Sequence, residues 1–204
     1  PQLLNTLQVI MDEDAHAPKF LLTGSSARKL KHGKTNLLPG RIHSYFLGPL
    51  VASELDHSIN VKQALSTGTL PGIWTEPSER EKCKTLQSYA ATYLKEEIQA
   101  EALSRNIEGF SRFLFVAAAE AGKFLDLGKL AQESKIPRQT AVRFFEVLED
   151  TLIVRRCESF RRSLRKRLVQ SPRFFFFDTG VLNGLLNNFM VSGDRIGILF
   201  EHLI

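Results

Sequence analysis

Cysteine and long apolar runs are scarce in this 204-residue chain. The longest uninterrupted apolar run, 113–119, has seven residues, whereas a membrane-spanning helix needs about 20. The sequence therefore predicts no transmembrane helix. Its first residues combine neither a basic start nor a continuous apolar stretch, so we expect no secretory signal. The two cysteines, Cys83 and Cys157, form no C-x-x-C motif and have no histidine near them in sequence. This argues against a disulfide framework and a zinc site and favours a cytoplasmic protein.

The net charge of +5 is concentrated towards the C-terminal end of the sequence. Residues 1–150 contain 18 basic and 18 acidic residues, whereas residues 151–204 contain 9 basic and 4 acidic residues. Most of the excess lies at Arg155, Arg156, Arg161, Arg162, Arg165, Lys166, Arg167 and Arg173. Such a local basic patch attracts polyanions, chiefly nucleic acid or an anionic membrane surface. A solvated basic hairpin is the alternative interpretation.

The N-terminal third shows short helix and strand patterns. Apolar residues at positions 3, 4, 7 and 10 follow a helical period. The apolar segment 19–23 predicts a short buried strand, and 41–47 predicts a second strand that leads to a helix over 51–56. The chain breakers within 68–72 predict a loop.

Two amphipathic helices follow this loop. Apolar residues recur at helical spacing from position 86 to position 98, which predicts a long helix from 78 to about 103. A second helix is predicted over 108–121, with Gly122 at its end.

The next segment has helix-turn-helix spacing. Asp126 is placed to cap a short helix, 134–137 turns the chain, and 138–150 forms the second helix. We expect Val142, Phe145 and Leu148 to face the core from that second helix. A strand then starts at 152–154, and 174–177 is typical of a core strand. The basic segment between them would return as a hairpin, which gives a winged helix-turn-helix whose wing carries the charge excess.

One short motif suggests a nucleotide site but has the wrong spacing. Gly33-Lys34-Thr35 is similar to the end of a phosphate-binding loop. That loop needs a glycine five residues before the Gly-Lys pair, where this sequence has Arg28. We therefore interpret Lys34 as part of a surface loop.

A series of motifs runs along the whole chain in a recognisable order. They are Thr23-Gly24-Ser25-Ser26, Gly40-Arg41, Pro49-Leu50, Leu70-Pro71-Gly72, Lys166-Arg167-Leu168 and Phe177-Asp178-Thr179-Gly180. This set resembles the predicted prokaryotic AAA+-type ATPases, which carry a C-terminal domain of unknown function that is similar to restriction endonucleases.

The resemblance implies a helix-rich α/β fold with four parts. These are the C-terminal part of a P-loop ATPase core (1–72), a helical linker (73–107), the winged helix-turn-helix (108–173) and the start of an endonuclease-like domain (174–204). In the family, the phosphate-binding loop and the acidic strand that holds Mg2+ precede a segment like Pro1-Gln2-Leu3-Leu4. We therefore expect the chain to be a fragment that lacks both.

The resemblance also implies accessory catalytic residues. Ser25 or Ser26 would orient the attacking water, and Arg41 would present its charge to a neighbouring subunit. The structural alternatives are that Ser25 caps a helix and that Arg41 pairs with a surface carboxylate. Glu201 resembles a residue of the helix that opens the endonuclease-like domain. Metal-assisted cleavage needs several convergent acids, so we interpret Glu201 as a solvent-facing residue and predict no metal site.

The winged helix is the candidate nucleic-acid surface. The residues predicted to face a groove are Arg138, Gln139, Thr140 and Arg143, and those predicted to contact phosphates are Arg161, Arg162, Arg165, Lys166 and Arg167. A packing or protein-interaction role for the module is the alternative.

The function that the sequence favours is that of a fragment of an ATP-binding AAA+-type ATPase. The intact protein would hydrolyse ATP with Mg2+ and contact DNA, whereas this chain alone is expected to bind no cofactor and to be inactive. The alternatives are a non-enzymatic winged-helix DNA-binding regulator and a protein-interaction adaptor. The candidate partners are DNA and, for the intact protein, further copies of itself; no membrane partner is expected.

Overall fold

The computed structural model describes residues 2–13, 18–23, 43, 45–93, 107–160 and 171–204. The chain divides into two compact units, one formed by 1–47 with 150–152 and the other by 48–149 with 153–204. The four-part division drawn from the sequence is finer than this one and stays a prediction.

The first unit contains helix α1, Gln2–Glu13, as the apolar spacing predicts. Leu7 is buried on this helix. The strand predicted over 19–23 is wrong, because residues 18–23 have no strand partner and their side chains are exposed. The described positions of the second predicted strand, 43 and 45–47, likewise form no strand. A short apolar run makes a buried strand only where a neighbouring strand pairs with its backbone.

The second unit is built mainly from helices. A 3₁₀ turn, Ala52–Leu55, replaces the helix predicted over 51–56. The helices that follow are α2 (Val61–Thr67), α3 (Pro71–Trp74), α4 (Glu79–Ser88, continued by a π-helical turn Tyr89–Tyr93), α5 (Ile107–Glu120), α6 (Leu127–Glu133), α7 (Arg138–Asp150), α8 (Thr179–Leu186) and α9 (Ile196–Leu203). Nowhere in the described segments is a helix long and apolar enough to cross a bilayer.

Two short strands lie between α7 and α8 in the described part of this stretch. They are β1, Val154–Cys157, and β2, Arg173–Phe176, and they pair antiparallel. A single antiparallel bridge joins Phe124 to Arg173 on the other side of β2. This small sheet among many helices agrees with the broad helix-rich α/β prediction.

Phenylalanine side chains form the centre of the core. The Phe144 ring of α7 lies 5.0 Å from that of Phe110 and 5.6 Å from that of Phe113, both on α5. The adjacent Phe145 meets Phe174 of β2 edge to face at 5.3 Å. Such pairs contribute about 0.5–1.5 kcal/mol each beyond the apolar area they bury. Neighbouring residues of α7 therefore hold it to two different elements.

A buried carboxylate joins the loop after α2 to the start of α8. Asp178 caps α8 by accepting from the Val181 N–H at 3.0 Å, and its other oxygen accepts from the Thr69 N–H at 2.9 Å. Gly68 has a φ of +74° and lies so close that a Cβ there would overlap the Asp178 carboxylate. A Cβ on Gly180 would overlap the Thr67 carbonyl. Both glycines are therefore needed for this close approach.

A second buried polar side chain continues the connection along α8. The Asn183 amide donates to the carbonyls of Leu65 and Ser66, at 2.9 and 2.7 Å. Its oxygen accepts from the Arg195 guanidinium at 2.6 Å. These bonds satisfy carbonyl groups at the end of α2 that would otherwise be buried without partners.

The buried Asp178 predicts an unusual pH dependence of stability. Burial raises the pKa of Asp178 from 3.8 to about 6, against the opposing effect of the N–H groups of Thr69, Val181 and Gly180. Because the pKa is higher in the folded state, the stabilisation that protonation provides is complete below about pH 4 and is lost as the pH rises through 6. The difference in free energy of unfolding between the wild type and Asp178→Asn should fall by up to about 3 kcal/mol from pH 4 to pH 7. Urea unfolding at several pH values measures this difference, and a constant or increasing difference would contradict the prediction.

Candidate nucleic-acid interface

Helices α6 and α7 are joined by a tight, well-bonded turn. Asp126 caps α6 by accepting from the N–H groups of Gly128 and Lys129 at 2.9 and 3.0 Å, as the sequence predicts. Lys135 adopts a left-handed conformation with a φ of +54°. The Ile136 N–H then bonds back to the Ala131 carbonyl at 3.0 Å, which closes the C-terminus of α6. The predicted turn at 134–137 is confirmed.

The inner face of α7 differs in detail from the predicted one. Its buried residues are Ala141, Phe144, Phe145, Val147 and Leu148. Val142, which we expected in the core, is only half-buried. The contacts of Phe144 with α5 and of Phe145 with β2 set the rotation of α7 about its axis. The face that carries Ala141, Phe144 and Leu148 is therefore turned into the core.

The outer face of α7 carries most of the predicted groove residues. Arg138, Gln139 and Arg143 are exposed, and Thr140 is half-buried. Glu146 is also exposed on this face. The structure therefore exposes three of the four predicted residues on the first half of α7 and half-buries the fourth.

Three cations around this end have no described acidic partner. Lys135, Arg138 and Arg143 are exposed, and none of them forms an ion pair with any acidic residue in the described part of the chain. Lys129 of α6, in contrast, lies 2.7 Å from Glu120, and its hydrogen bond lowers the pKa of that carboxyl group. The local charge at the turn is thus not neutralised by the residues described around it.

Two arginines of the strand pair form ion pairs and also lie over aromatic rings. Arg156 of β1 lies 2.7 Å from Glu149 and stacks over the Phe145 ring at 5.1 Å. Arg173 of β2 lies 2.7 Å from Glu201 of α9 and 5.5 Å from the Phe124 ring. Glu201 is therefore a partner of Arg173 on a partly exposed surface.

The first turn of α7, like those of α3 and α9, has no side-chain cap, whereas four other helices have one. Asn60, Ser78, Asp126 and Asp178 cap their helices with side-chain oxygens. Pro137 precedes α7, and its ring has no acceptor. The N–H groups of the first turn, which carry the positive end of the helix dipole, are therefore not covered by the side chain of the preceding residue.

The short strand pair has a third backbone neighbour. The Gly122 N–H donates to the Phe174 carbonyl at 2.8 Å, and the Leu125 N–H donates to the Pro172 carbonyl at 2.7 Å. The segment between α5 and α6 therefore lies along β2, on the side opposite β1. Along the chain the order is therefore α5, the segment that bonds to β2, α6, α7 and then the strand pair of β1 and β2.

Several predicted site residues lie outside the described ranges. They are Ser25, Ser26 and Arg41 of the predicted ATPase part and Arg161, Arg162, Arg165, Lys166 and Arg167 of the predicted wing. Two residues of the exposed surface, Lys135 and Glu146, were missed from the sequence. Glu146 follows Gln139 by seven positions and Arg143 by three, so the helical period alone could have found it.

A family model described as "Domain of unknown function (DUF8612)" matches residues 59–192. The chain belongs to the DUF8612 family. The DUF8612 match runs from α2 through α8, so it includes α6, α7 and both strands.

Two mycobacterial proteins are similar to this DUF8612 chain. They are uncharacterized protein Rv2008c of Mycobacterium tuberculosis and uncharacterized protein Mb2031c of Mycobacterium bovis. Each is 26% identical over 186 residues, which is 91% of this chain and 42% of the relative. The chain thus spans about two fifths of the length of these relatives. No solved structure matches it.

The aromatic contacts that position α7 in the DUF8612 chain can be tested by stability measurements. Phe144→Ala should lower the free energy of unfolding by about 3–5 kcal/mol, because the removed ring is buried against α5. Phe115→Ala on the same α5 removes a ring that is 54% exposed and serves as the control, with a loss below about 1 kcal/mol. Equal losses for the two variants in urea unfolding would contradict the proposed role of Phe144.

Proposed function

We propose that this chain contacts duplex DNA through a winged helix formed by α5, α6, α7, β1 and β2. The observation that carries the proposal is the group of exposed cations, Lys135, Arg138 and Arg143, without described acidic partners at the turn and the first half of α7. Exposed basic side chains near one end of a helix are suited to the phosphates and base edges beside a groove.

The order of the elements supports a winged-helix architecture. Three helices precede an antiparallel strand pair, and the segment between the first two helices bonds to β2. In helix-turn-helix proteins the second helix of the pair enters the major groove and the first crosses the backbone. These positions correspond to α7 and α6.

The sequence between the strands supplies further charge. Residues 161–170 contain five basic and no acidic residues. They connect β1 to β2 in the chain, where a wing would reach the phosphates next to the groove. The Lys and Arg side chains would displace counterions from DNA, which makes affinity fall with salt.

Neutralising two wing cations tests the proposed DNA contact. In the full 204-residue chain, Arg165→Gln with Arg167→Gln should weaken binding to a labelled duplex at least about tenfold. It should also reduce the slope of log affinity against log salt by about 2, because two phosphate contacts are lost. Fluorescence anisotropy between about 50 and 200 mM salt measures both quantities.

The matched control removes two cations elsewhere on the second unit. Lys62→Gln with Arg80→Gln changes exposed residues of α2 and α4 by the same charge and should leave the affinity and the slope unchanged. Equal losses for the two double variants would mean that only the net charge matters. Failure of duplex DNA to bind even at low salt would favour the protein-interaction adaptor.

We also propose that the chain is part of a longer AAA+-type ATPase. The motif series that resembles this family supports the proposal, and so does the length of the mycobacterial relatives, of which the chain covers 42%. The sequence contains no G-x-x-x-x-G-K-[ST] motif, whose backbone N–H donors and lysine would stabilise the transferring phosphate.

The ATPase proposal predicts two separate results. The purified chain should release no phosphate from ATP and Mg2+ above the level of the buffer. Translation of the coding region upstream of Pro1 should contain G-x-x-x-x-G-K-[ST] after an apolar strand. ATP turnover by the chain alone, or the absence of that motif, would contradict the proposal.

A further inference from the structure

Three polar side chains form a line along the exposed face of α7. Gln139, Arg143 and Glu146 are spaced by four and three residues, so they lie on successive turns of the helix on the same side. All three are exposed. The opposite side of α7, which includes Ala141, Phe144 and Leu148, is buried.

These side chains have the hydrogen-bonding groups that distinguish bases. A glutamine amide can both donate to and accept from adenine, and an arginine guanidinium donates to both acceptors of guanine. A glutamate carboxylate accepts from the amino group of cytosine. Each pattern is displayed in the major groove of B-form DNA.

Glu146 distinguishes base recognition from simple attraction to phosphates. A surface that binds DNA only through its charge gains nothing from a carboxylate, because the carboxylate repels the phosphate backbone. Glu149, three residues further along α7, is neutralised by Arg156 at 2.7 Å. No cation among the described residues forms an ion pair with Glu146, so its charge remains on the exposed face.

Resting on the proposed DNA contact, we propose that α7 recognises a specific sequence of B-form duplex DNA by contacting base edges with Gln139, Arg143 and Glu146. Lys135 and Arg138, exposed at the start of α7, contact the phosphates and set the position of the helix. Glu146 selects for a cytosine amino group and against sites where it faces an acceptor or a phosphate. Double-stranded RNA is a poor ligand, because side chains cannot reach the bases in its deep and narrow major groove.

The experiment begins with selection of bound duplexes from a random DNA library by the wild-type chain. Affinities for the selected duplex and for a scrambled duplex then give a specificity ratio. Glu146→Gln should increase affinity for the scrambled duplex, since a repulsive charge is removed. The same variant should reduce the specificity ratio by about 5- to 150-fold, the range for loss of one base contact.

Two arginine variants separate base contact from charge. Arg143→Lys keeps the charge but loses the planar fork, so the specificity ratio should fall by a similar factor while the salt dependence stays unchanged. Arg80→Lys makes the same chemical change at an exposed residue of α4, away from the proposed surface, and should leave the ratio within about twofold of the wild type. Thermal unfolding of each variant verifies that the fold is intact.

The possible results separate this inference from the proposed function. Salt-dependent binding with a wild-type specificity ratio near one, or equal affinity for double-stranded RNA of the selected sequence, would overturn base recognition and leave DNA contact standing. An equal rise in affinity for both duplexes in Glu146→Gln would show that Glu146 only repels phosphates. Absence of any duplex binding at low salt would overturn the proposed function itself.

Discussion

The packing of Phe144 and Phe145 on two different neighbours is the constraint on which the exposed surface of α7 depends. Phe144 contacts the α5 rings at 5.0 and 5.6 Å, and Phe145 contacts Phe174 of β2 at 5.3 Å. Successive residues of a helix point about 100° apart, so two adjacent rings held by separate elements leave α7 little freedom to rotate. Rotation by one residue would move an exposed charged side chain towards the core, at a cost of several kcal/mol.

With α7 fixed in this way, the charges around it divide into two groups. Arg156 and Arg173 are paired with Glu149 and Glu201 and stack on aromatic rings, so their positions are set by the fold. The exposed cations at the turn and the first half of α7 lack such partners among the described residues. A surface of this kind is suited to a polyanion whose phosphates would provide the missing counter-charges. The proposed role of Glu146 is to make that contact depend on the DNA sequence. This is the physical basis of the proposed contact with duplex DNA.

The sequence predicted the elements whose signals are local. The spacing of apolar residues located α5, Asp126 marked the start of α6, and α7 has the predicted bounds of 138 and 150. The predicted strand at 19–23 failed because strand formation depends on a partner, which no local pattern supplies. Val142 was misplaced because the contacts of Phe144 with α5 and of Phe145 with β2 turn the helix so that Val142 lies at the edge of the buried face. The hydrogen bond that Asp178 accepts from the Thr69 N–H joins residues 109 positions apart, and the sequence contains no signal for such a pairing.

The most direct test of the central claim is to map which backbone amides respond when duplex DNA is added. Two-dimensional NMR of the isotopically labelled chain during a titration with duplex DNA reports each amide separately. The account predicts that the largest shifts occur from Lys135 to Glu146 and within 161–170, whereas the amides of α2 and α4 change little. Shifts centred on other elements, or no shifts at low salt, would contradict the claim that α7 and the basic segment form the DNA-binding surface.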